Sequence, residues 1–213
     1  MFVADWMAKK IFTVTMDDYI SDALGIMKEK KIKHVPVEKN GTLKGIVSDR
    51  DIKEYSPSKA TTLDIYELHY MLAHTKIKEI AKTKVITASP DMPIEEAAMF
   101  MLDNNIGCLP VVDNLKLVGI ISDRDIFSAL VDITGARRGG LRICVTIEDR
   151  AGSIREVADI VRSFNYRLLG LLTSYSGVKE GFRRLVIRAQ GKGGYIELKD
   201  ALASRYGGCD VRR

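Results

Sequence analysis

Apolar residues recur at i, i+3, i+4 and i+7 in Ile20, Ala23, Leu24 and Met27, which predicts one buried face of a helix. The same spacing returns at Ile94, Ala97, Ala98 and Met101. The flanking patterns return with it. An extended start (residues 11–14 or 85–88) leads to an acid, Asp17 or Asp91, that reads as a helix-start signal. After the helix comes a short strand holding Val35-Pro36-Val37 or Leu109-Pro110-Val111-Val112. A turn at Asn40-Gly41 or Asp113-Asn114 leads into a second strand, residues 43–47 or 117–121. Ser48 or Ser122 then opens a final helix. The stretch Gly45-Ile46-Val47-Ser48-Asp49-Arg50-Asp51-Ile52 reappears as Gly119-Ile120-Ile121-Ser122-Asp123-Arg124-Asp125-Ile126, and one offset of 74 residues aligns both copies without a gap. Self-similarity over such a span predicts two copies of one folding unit. Proline cannot donate to a sheet ladder, so Pro36 and Pro110 are expected at edge or irregular positions, with backbone left free to meet a ligand.

Residues 1–55 read as the first repeat, 56–76 as a linker with a helix, and 77–134 as the second repeat. Within the linker, Ser56-Pro57-Ser58-Lys59 is expected as a loop and Thr62 to about His74 as a helix. Ile65, Leu68, Tyr70 and Leu72 would pack on the repeats or on a second subunit. Residues 135–140 form a Gly/Arg linker. Beyond it, residues 141–213 read strand, turn, helix, two strands, helix and last strand, the βαββαβ order of the ferredoxin-like plan. The expected fold class is α+β: two βαββα repeats packed as a pair, plus a C-terminal ferredoxin-like βαββαβ domain.

A 213-residue chain with 46% hydrophobic and 29% charged residues is that of a soluble globular protein. It has no run of about 18 apolar residues to span a membrane. Asp5 interrupts the segment where a signal peptide would carry its apolar core, so the expected location is cytoplasmic. Cys108, Cys144 and Cys209 are read as reduced, mostly buried thiols. With His34, His69 and His74 they make no metal spacing, and no metal or required cofactor is expected. His69 and His74 do not share a helical face and are read as surface residues. Charge is uneven: residues 1–135 hold 17 basic and 20 acidic residues, a net −3, whereas residues 136–213 hold 16 and 8, a net +8. The basic third is either a solvated surface or a face for an anionic partner.

Ser48-x-x-Asp51 and Ser122-x-x-Asp125 match a helix capping box. They also carry marks of a ligand site. Gly45 and Gly119 permit close backbone approach. Each helix start offers free amides suited to phosphate. An aspartate accepts two hydrogen bonds and so suits vicinal ribose hydroxyls. With the preceding His34-Val35-Pro36-Val37 and Leu109-Pro110-Val111, this pattern resembles the tandem cystathionine-β-synthase (CBS) domain, the Bateman module, over about residues 1–133. The resemblance implies two repeats packed head to tail around two clefts that bind an adenosine nucleotide: AMP, ADP, ATP or S-adenosylmethionine. Asp51 and Asp125 would each hold a ribose, and Ser48 and Ser122 would sit beside the phosphates. Thr13-Val14 and Thr87-Ala88 would border the adenine, with Val35-Pro36 and Leu109-Pro110 as its apolar wall. Lys33 and His34 would serve the Asp125 cleft, leaving Arg50 or Arg124 as phosphate partners at Asp51. The Asp125 cleft is then expected to be the tighter for phosphorylated ligands. Lys33 and His34 read equally well as solvated charge following Lys28-Glu29-Lys30-Lys31.

Glu148-Asp149-Arg150-Ala151-Gly152-Ser153-Ile154 resembles the signature of the ACT domain, a small amino-acid-sensing module of ferredoxin-like fold, with Ala151 in place of a proline. The resemblance implies an amino-acid site at this turn, with Asp149 for an ammonium, Gly152 for backbone approach, and the helix start at Ser153-Ile154 for a carboxylate. Arg142, Arg150 and Arg155 would suit an acidic ligand. The alternative is a tight turn that binds nothing. Two CBS repeats followed by an ACT domain are similar to the acetoin-utilisation protein B group, which implies control of acetoin or related carbon metabolism through an unidentified regulated enzyme. No set of nucleophile, base and metal suggests an enzyme. A regulatory homodimer is the expected form. The alternatives are an oligomerisation scaffold with degenerate sites, or nucleic-acid binding by the basic third. Tyr175 and Phe182 are the only aromatics its likely strands offer for stacking, which argues against the last.

Overall fold

The computed structural model describes residues 1–55 and 65–213, and its contacts divide the chain into two units, Met1–Ile126 and Phe127–Arg213. The loop expected at Ser56-Pro57-Ser58-Lys59, the helix start at Thr62, and the side chains of Ile65, Leu68 and His69 lie outside the described residues. The first unit opens with a short helix, α1 (Val3–Trp6), followed by α2 (Ile20–Lys30), β1 (His34–Lys39), β2 (Thr42–Ser48) and α3 (Asp49–Tyr55). After α4 (Ile65–His74) the second repeat supplies α5 (Ile94–Asp103), β3 (Cys108–Asp113), β4 (Lys116–Ser122) and the start of α6 (Asp123–Ile133).

The predicted stripes are the buried faces. Ile20, Ala23 and Met27 of α2 and Ile94, Ala97 and Met101 of α5 are all buried, while Leu24 packs at the rim. Asp17 and Asp91 do not open these helices. The bridges Tyr19↔Lys76 and Phe2↔Pro93 keep the chain extended up to the residue before each helix, so helical geometry begins at Ile20 and Ile94. Asp22 is the acid that caps α2, accepting from the Tyr19 amide at 2.9 Å. On α4, Leu72 packs on the core of the first repeat and Tyr70 is exposed, stacked on the exposed His74.

β1 pairs antiparallel with β2 and β3 with β4, each with a bulge at the same point of the repeat. Pro36 and Pro110 lie buried inside these strands, and each sheet has only two strands, so both prolines are on edge strands as the missing donor suggests. Each strand is paired on its other side by a single parallel rung. The Val14 amide donates to Pro36 O (3.1 Å) and the Glu38 amide to Val14 O (2.9 Å), with Ala88, Pro110 and Val112 repeating the pattern. The next rung would need an N–H at the proline. Its absence stops the ladder there and leaves the carbonyls of Phe12 and Ile86 without a strand partner on that side.

The two repeats exchange their leading segments. Lys82, in the leading segment of the second repeat, bridges Ile46 of β2, and Ala8, in that of the first, bridges Ile120 of β4. Gly45 and Gly119 lie under these straps. A Cβ on Gly45 would stand 2.9 Å from Lys82 O, and one on Gly119 would collide with Met7 Sδ. The close approach read from these glycines is therefore made by the other repeat's backbone and side chain, not by a ligand.

The second unit holds β5 (Leu141–Glu148), α7 (Ser153–Ser163), β6 (Tyr166–Ser174), β7 (Phe182–Gly191), α8 (Tyr195–Arg205) and β8 (Asp210–Arg212). Its antiparallel sheet has the order β6-β7-β5-β8, which realises the βαββαβ plan. Alternate residues of β5, Leu141, Ile143, Val145 and Ile147, are buried in one core with Val157 and Val161 of α7 and Leu198 and Leu202 of α8. Burying each such side chain stabilises by about 1.5–3 kcal/mol. Residues 135–140 carry the short 3₁₀ turn Ala136–Arg138, entered and left through Gly135 and Gly139 at φ of 61° and 68°.

Candidate functional site

At both serine–aspartate junctions the aspartate caps the serine, and at the first the full capping box closes. Asp51 Oδ2 accepts from the Ser48 amide (2.8 Å) and hydroxyl (2.5 Å), and the Asp51 amide lies 3.2 Å from Ser48 Oγ. Asp125 Oδ2 accepts likewise from the Ser122 amide (2.8 Å) and hydroxyl (2.7 Å). Capping uses one carboxylate oxygen and leaves the other for a further role, so the two readings of these aspartates coexist. At Asp51 the second oxygen, Oδ1, receives the Lys82 ammonium at 2.6 Å. Asp51 is only 8% exposed. Burial is the largest influence on its carboxyl and acts to raise the pKa. The hydrogen bonds from Lys82 and Ser48 together outweigh it and hold the pKa below the ordinary carboxylate value.

Asp51 lines a cavity of about 600 Å³ between the repeats, a volume suited to a small ligand. The second repeat contributes Lys84, Val85 and Ile86 from its strap, the segment 105–108 before and at β3, and Asp123. Lys33, His34, Ser48 and Arg50 line the same cavity. Lys33 and His34 therefore stand at Asp51 and not in a separate Asp125 cleft. The strand register explains this: His34 lies directly opposite Ser48, three residues from Asp51. Burial, the largest influence on His34, lowers its pKa. Lys33 acts in the same direction, and Asp123, Asp51 and Asp49 oppose it. Burial also pushes the Cys108 thiol up to about 12, with the negative charge of Asp123 adding to it.

The positive charge thus gathers at Asp51. Lys33, Arg50, Lys53, Lys82 and Lys84 line that cavity, and the 74-residue offset puts Gly107, Arg124, Phe127, Ala8 and Lys10 in the corresponding places. This places the basic residues opposite to the expectation that Lys33 and His34 serve the Asp125 cleft. Lys53 is committed to Asp49 at 2.7 Å.

Among the other candidate residues, Val14, Val35, Pro36, Ala88, Leu109 and Pro110 are buried, with Val35 and Leu109 fully enclosed. These side chains are core, not a wall of the cavity, because β1 and β3 are covered on both faces. Thr13 and Thr87 are partly exposed beside them. Ser122, Arg124 and Asp125 sit at the second junction, outside this cavity. Sequence reasoning missed Lys82, Lys84, Val85, Ile86 and Asp123. The available signal was the strap comparison, Lys82 against Ala8.

The CBS domain model matches residues 3–58 and 77–132. The chain belongs to the CBS-domain family. Among solved CBS structures, a Vibrio cholerae protein described as an acetoin utilization protein (AcuB) is 30% identical, with a TM-score of 0.54 over 65% of this chain and 96% of that one. CBSX2, solved in complex with AMP, is 26% identical, with a TM-score of 0.53 over 62% and 97%. The CBS pair of MJ0100, solved with 5′-methylthioadenosine and S-adenosyl-L-methionine, is 28% identical, with a TM-score of 0.50 over 64% and 98%. No helix among the described residues is long and apolar enough to cross a membrane.

Beyond the CBS match, the turn at Asp149-Arg150-Ala151-Gly152-Ser153-Ile154 is internally paired. Asp149 Oδ1 lies 3.4 Å from Arg183 Nε, within ion-pair distance but out of line for a hydrogen bond. Arg150 pairs with Glu148 (2.9 Å) and Glu156 (2.8 Å). The buried Ser153 hydroxyl donates to Arg150 O and accepts from Arg183. Ile154 packs on the core. Gly152 sits at φ 85° with nothing within 4 Å of a Cβ position, so it serves the turn conformation rather than a close approach. Asp149 and Arg150, expected to hold an amino acid, are engaged with Arg183, Glu148 and Glu156 instead.

Proposed function

We propose that this CBS pair is a non-catalytic regulatory sensor that binds an adenosine nucleotide in the cavity at Asp51. One observation carries the reading: a buried carboxylate, held by its own capping bonds at a ligand-sized cavity, stands with Lys33, Arg50, Lys82 and Lys84 in a lining that also holds Asp123 and the Asp49–Lys53 pair. In this reading Asp51 takes the ribose hydroxyls, and Lys33, Arg50, Lys82 and Lys84 take the phosphates. Val85 and Ile86 border the adenine, with the Ile86 carbonyl that Pro110 leaves unpaired as a hydrogen-bond acceptor. Asp125 with Ser122 forms the second, less cationic site. AMP in CBSX2 and adenosyl ligands in MJ0100 support the class of ligand.

The βαββαβ order of the second unit supports an ACT-type module there, and its paired turn charges favour a structural or relay role over amino-acid capture. The likeness to the Vibrio cholerae protein supports control of acetoin or related carbon metabolism through a regulated enzyme. Homodimerisation belongs to the same reading and is supported by Met99 and Leu102, which α5 leaves exposed. A thermal-shift screen with AMP, ADP, ATP, S-adenosylmethionine and the amino acids tests it. A ligand at one hundred times its Kd stabilises by about 2.7 kcal/mol, so at least one adenosine compound raises the midpoint. No shift with any of them refutes the reading.

A further inference from the structure

Lys82 has a fixed backbone and a movable charge. Its amide and carbonyl both bond Ile46, each at 3.0 Å, so the strap cannot follow the side chain. The side chain is 64% exposed and spans open cavity to reach Asp51 Oδ1 at 2.6 Å. That oxygen is the one the capping box leaves for a ligand. Oδ2 already accepts two bonds from Ser48, so vicinal hydroxyls need both acceptor positions of Oδ1, and a nucleoside bound through both displaces the Lys82 ammonium from one of them. Once displaced, the ammonium remains within reach of a phosphate in the cavity, because its backbone is pinned to β2 and Lys82 lines that cavity.

We propose that Lys82 is a specificity-determining residue: it closes the Asp51 site to uncharged and cationic adenosyl compounds and admits phosphorylated nucleosides. The inference rests on the nucleotide reading given above. A neutral nucleoside breaks the Lys82–Asp51 pair and supplies no new anion. A phosphate supplies one, and Lys84 beside it adds to the attraction. A sulfonium ligand brings a further cation into a cavity lined by Lys33, Arg50, Lys82 and Lys84. The second repeat provides the internal contrast. Ala8 occupies the strap position there with the same pair of backbone bonds, to Ile120 at 2.9 and 3.1 Å. A methyl group thus stands where the first site has an ammonium, and among the described residues no side chain forms an ion pair with Asp125. The two sites then sort adenosyl ligands by charge, the phosphorylated ones at Asp51 and the uncharged or cationic ones at Asp125.

The test is titration calorimetry of the full chain with AMP and with adenosine. Asp125→Asn is present throughout so that the Asp51 site dominates, and Lys82 is either kept, changed to Gln, or changed to Arg. In Lys82→Gln, AMP binds more weakly and adenosine more tightly, and the AMP-to-adenosine affinity ratio falls by about tenfold or more, as expected for losing one charged hydrogen bond. Lys82→Arg keeps the ratio within about threefold, since the charge is retained. An adenosine affinity that does not rise in Lys82→Gln, or two affinities that change by one common factor, overturns the selector while leaving the nucleotide reading intact. If the chain with Lys82 binds neither compound, the selector falls, and the nucleotide reading falls with it only when the thermal-shift screen also finds no adenosine ligand.

Discussion

Gly45 and Gly119 occupy the same place in the two repeats, yet adding a methyl group to them should have unequal consequences. A Cβ on Gly45 would lie 2.9 Å from the Lys82 carbonyl oxygen, 3.3 Å from Met16 Cε and 3.6 Å from Ala81 Cβ. The first of these is backbone, pinned by the two bonds between Lys82 and Ile46. It yields only by lengthening those bonds, each worth about 1 kcal/mol, and overpacking of this kind costs about 1–3 kcal/mol. The lower chain entropy of unfolded alanine returns about 0.4–1 kcal/mol, so Gly45→Ala should destabilise by roughly 1–2 kcal/mol. A Cβ on Gly119 meets the end of Met7, a flexible side chain that can swing aside, and the Ala8 carbonyl only at 3.3 Å. Gly119→Ala should cost less than about 0.5 kcal/mol. Urea unfolding followed by the fluorescence of the single tryptophan, Trp6, reports on the first unit and measures both. If Gly119→Ala destabilises as much as Gly45→Ala, or Gly45→Ala is neutral, the exchanged straps do not pack as described.

Three further outcomes follow from the same geometry. Burial lowers the His34 pKa, so the unfolded chain takes up that proton first; stability therefore falls as pH drops through about 6.5 and levels off below the folded-state pKa. Urea midpoints at pH 7.5 and 5.5 should differ less in His34→Gln than in the parent. Ala8→Lys places an ammonium at the strap position that faces the second junction, and calorimetry should show adenosine binding at the Asp125 site weakened, with AMP spared. Gly152→Ala forces a left-handed conformation at φ 85° with no steric neighbour, so thermal denaturation should show a loss of about 1–2 kcal/mol from backbone strain alone.

The helices and strands were legible because each pattern occurs twice at one offset, so the burial of Ile20, Ala23 and Met27 is repeated at Ile94, Ala97 and Met101. The serine–aspartate junctions at Asp51 and Asp125 were legible for the same reason, whereas the βαββαβ order of the second unit was legible from its alternating strands and apolar helix face. The straps were not. Periodicity reports local structure, and Lys82 reads as a polar spacer until the crossing onto Ile46 is seen. That crossing explains both Gly45 and the charge at Asp51. Val35 and Leu109 misled for a related reason: a strand buried on both faces has no alternation to separate core from cavity wall. The helix starts shifted by three residues because a tertiary bridge at Tyr19 overrides the nearest acid. In the second unit, Asp149 and Arg150 look available to a ligand in sequence, because Arg183 and Glu156 come from elsewhere in the chain.

The ribose contact of Asp51 is tested most directly by comparing AMP with 2′-deoxy-AMP in titration calorimetry, on the parent protein and on Asp51→Asn. A carboxylate gripping vicinal hydroxyls makes the parent prefer AMP by about tenfold, the worth of one hydrogen bond to a charged group, and Asp51→Asn removes most of that preference. Equal affinity of the parent for the two nucleotides, or a preference that survives in Asp51→Asn, would contradict it.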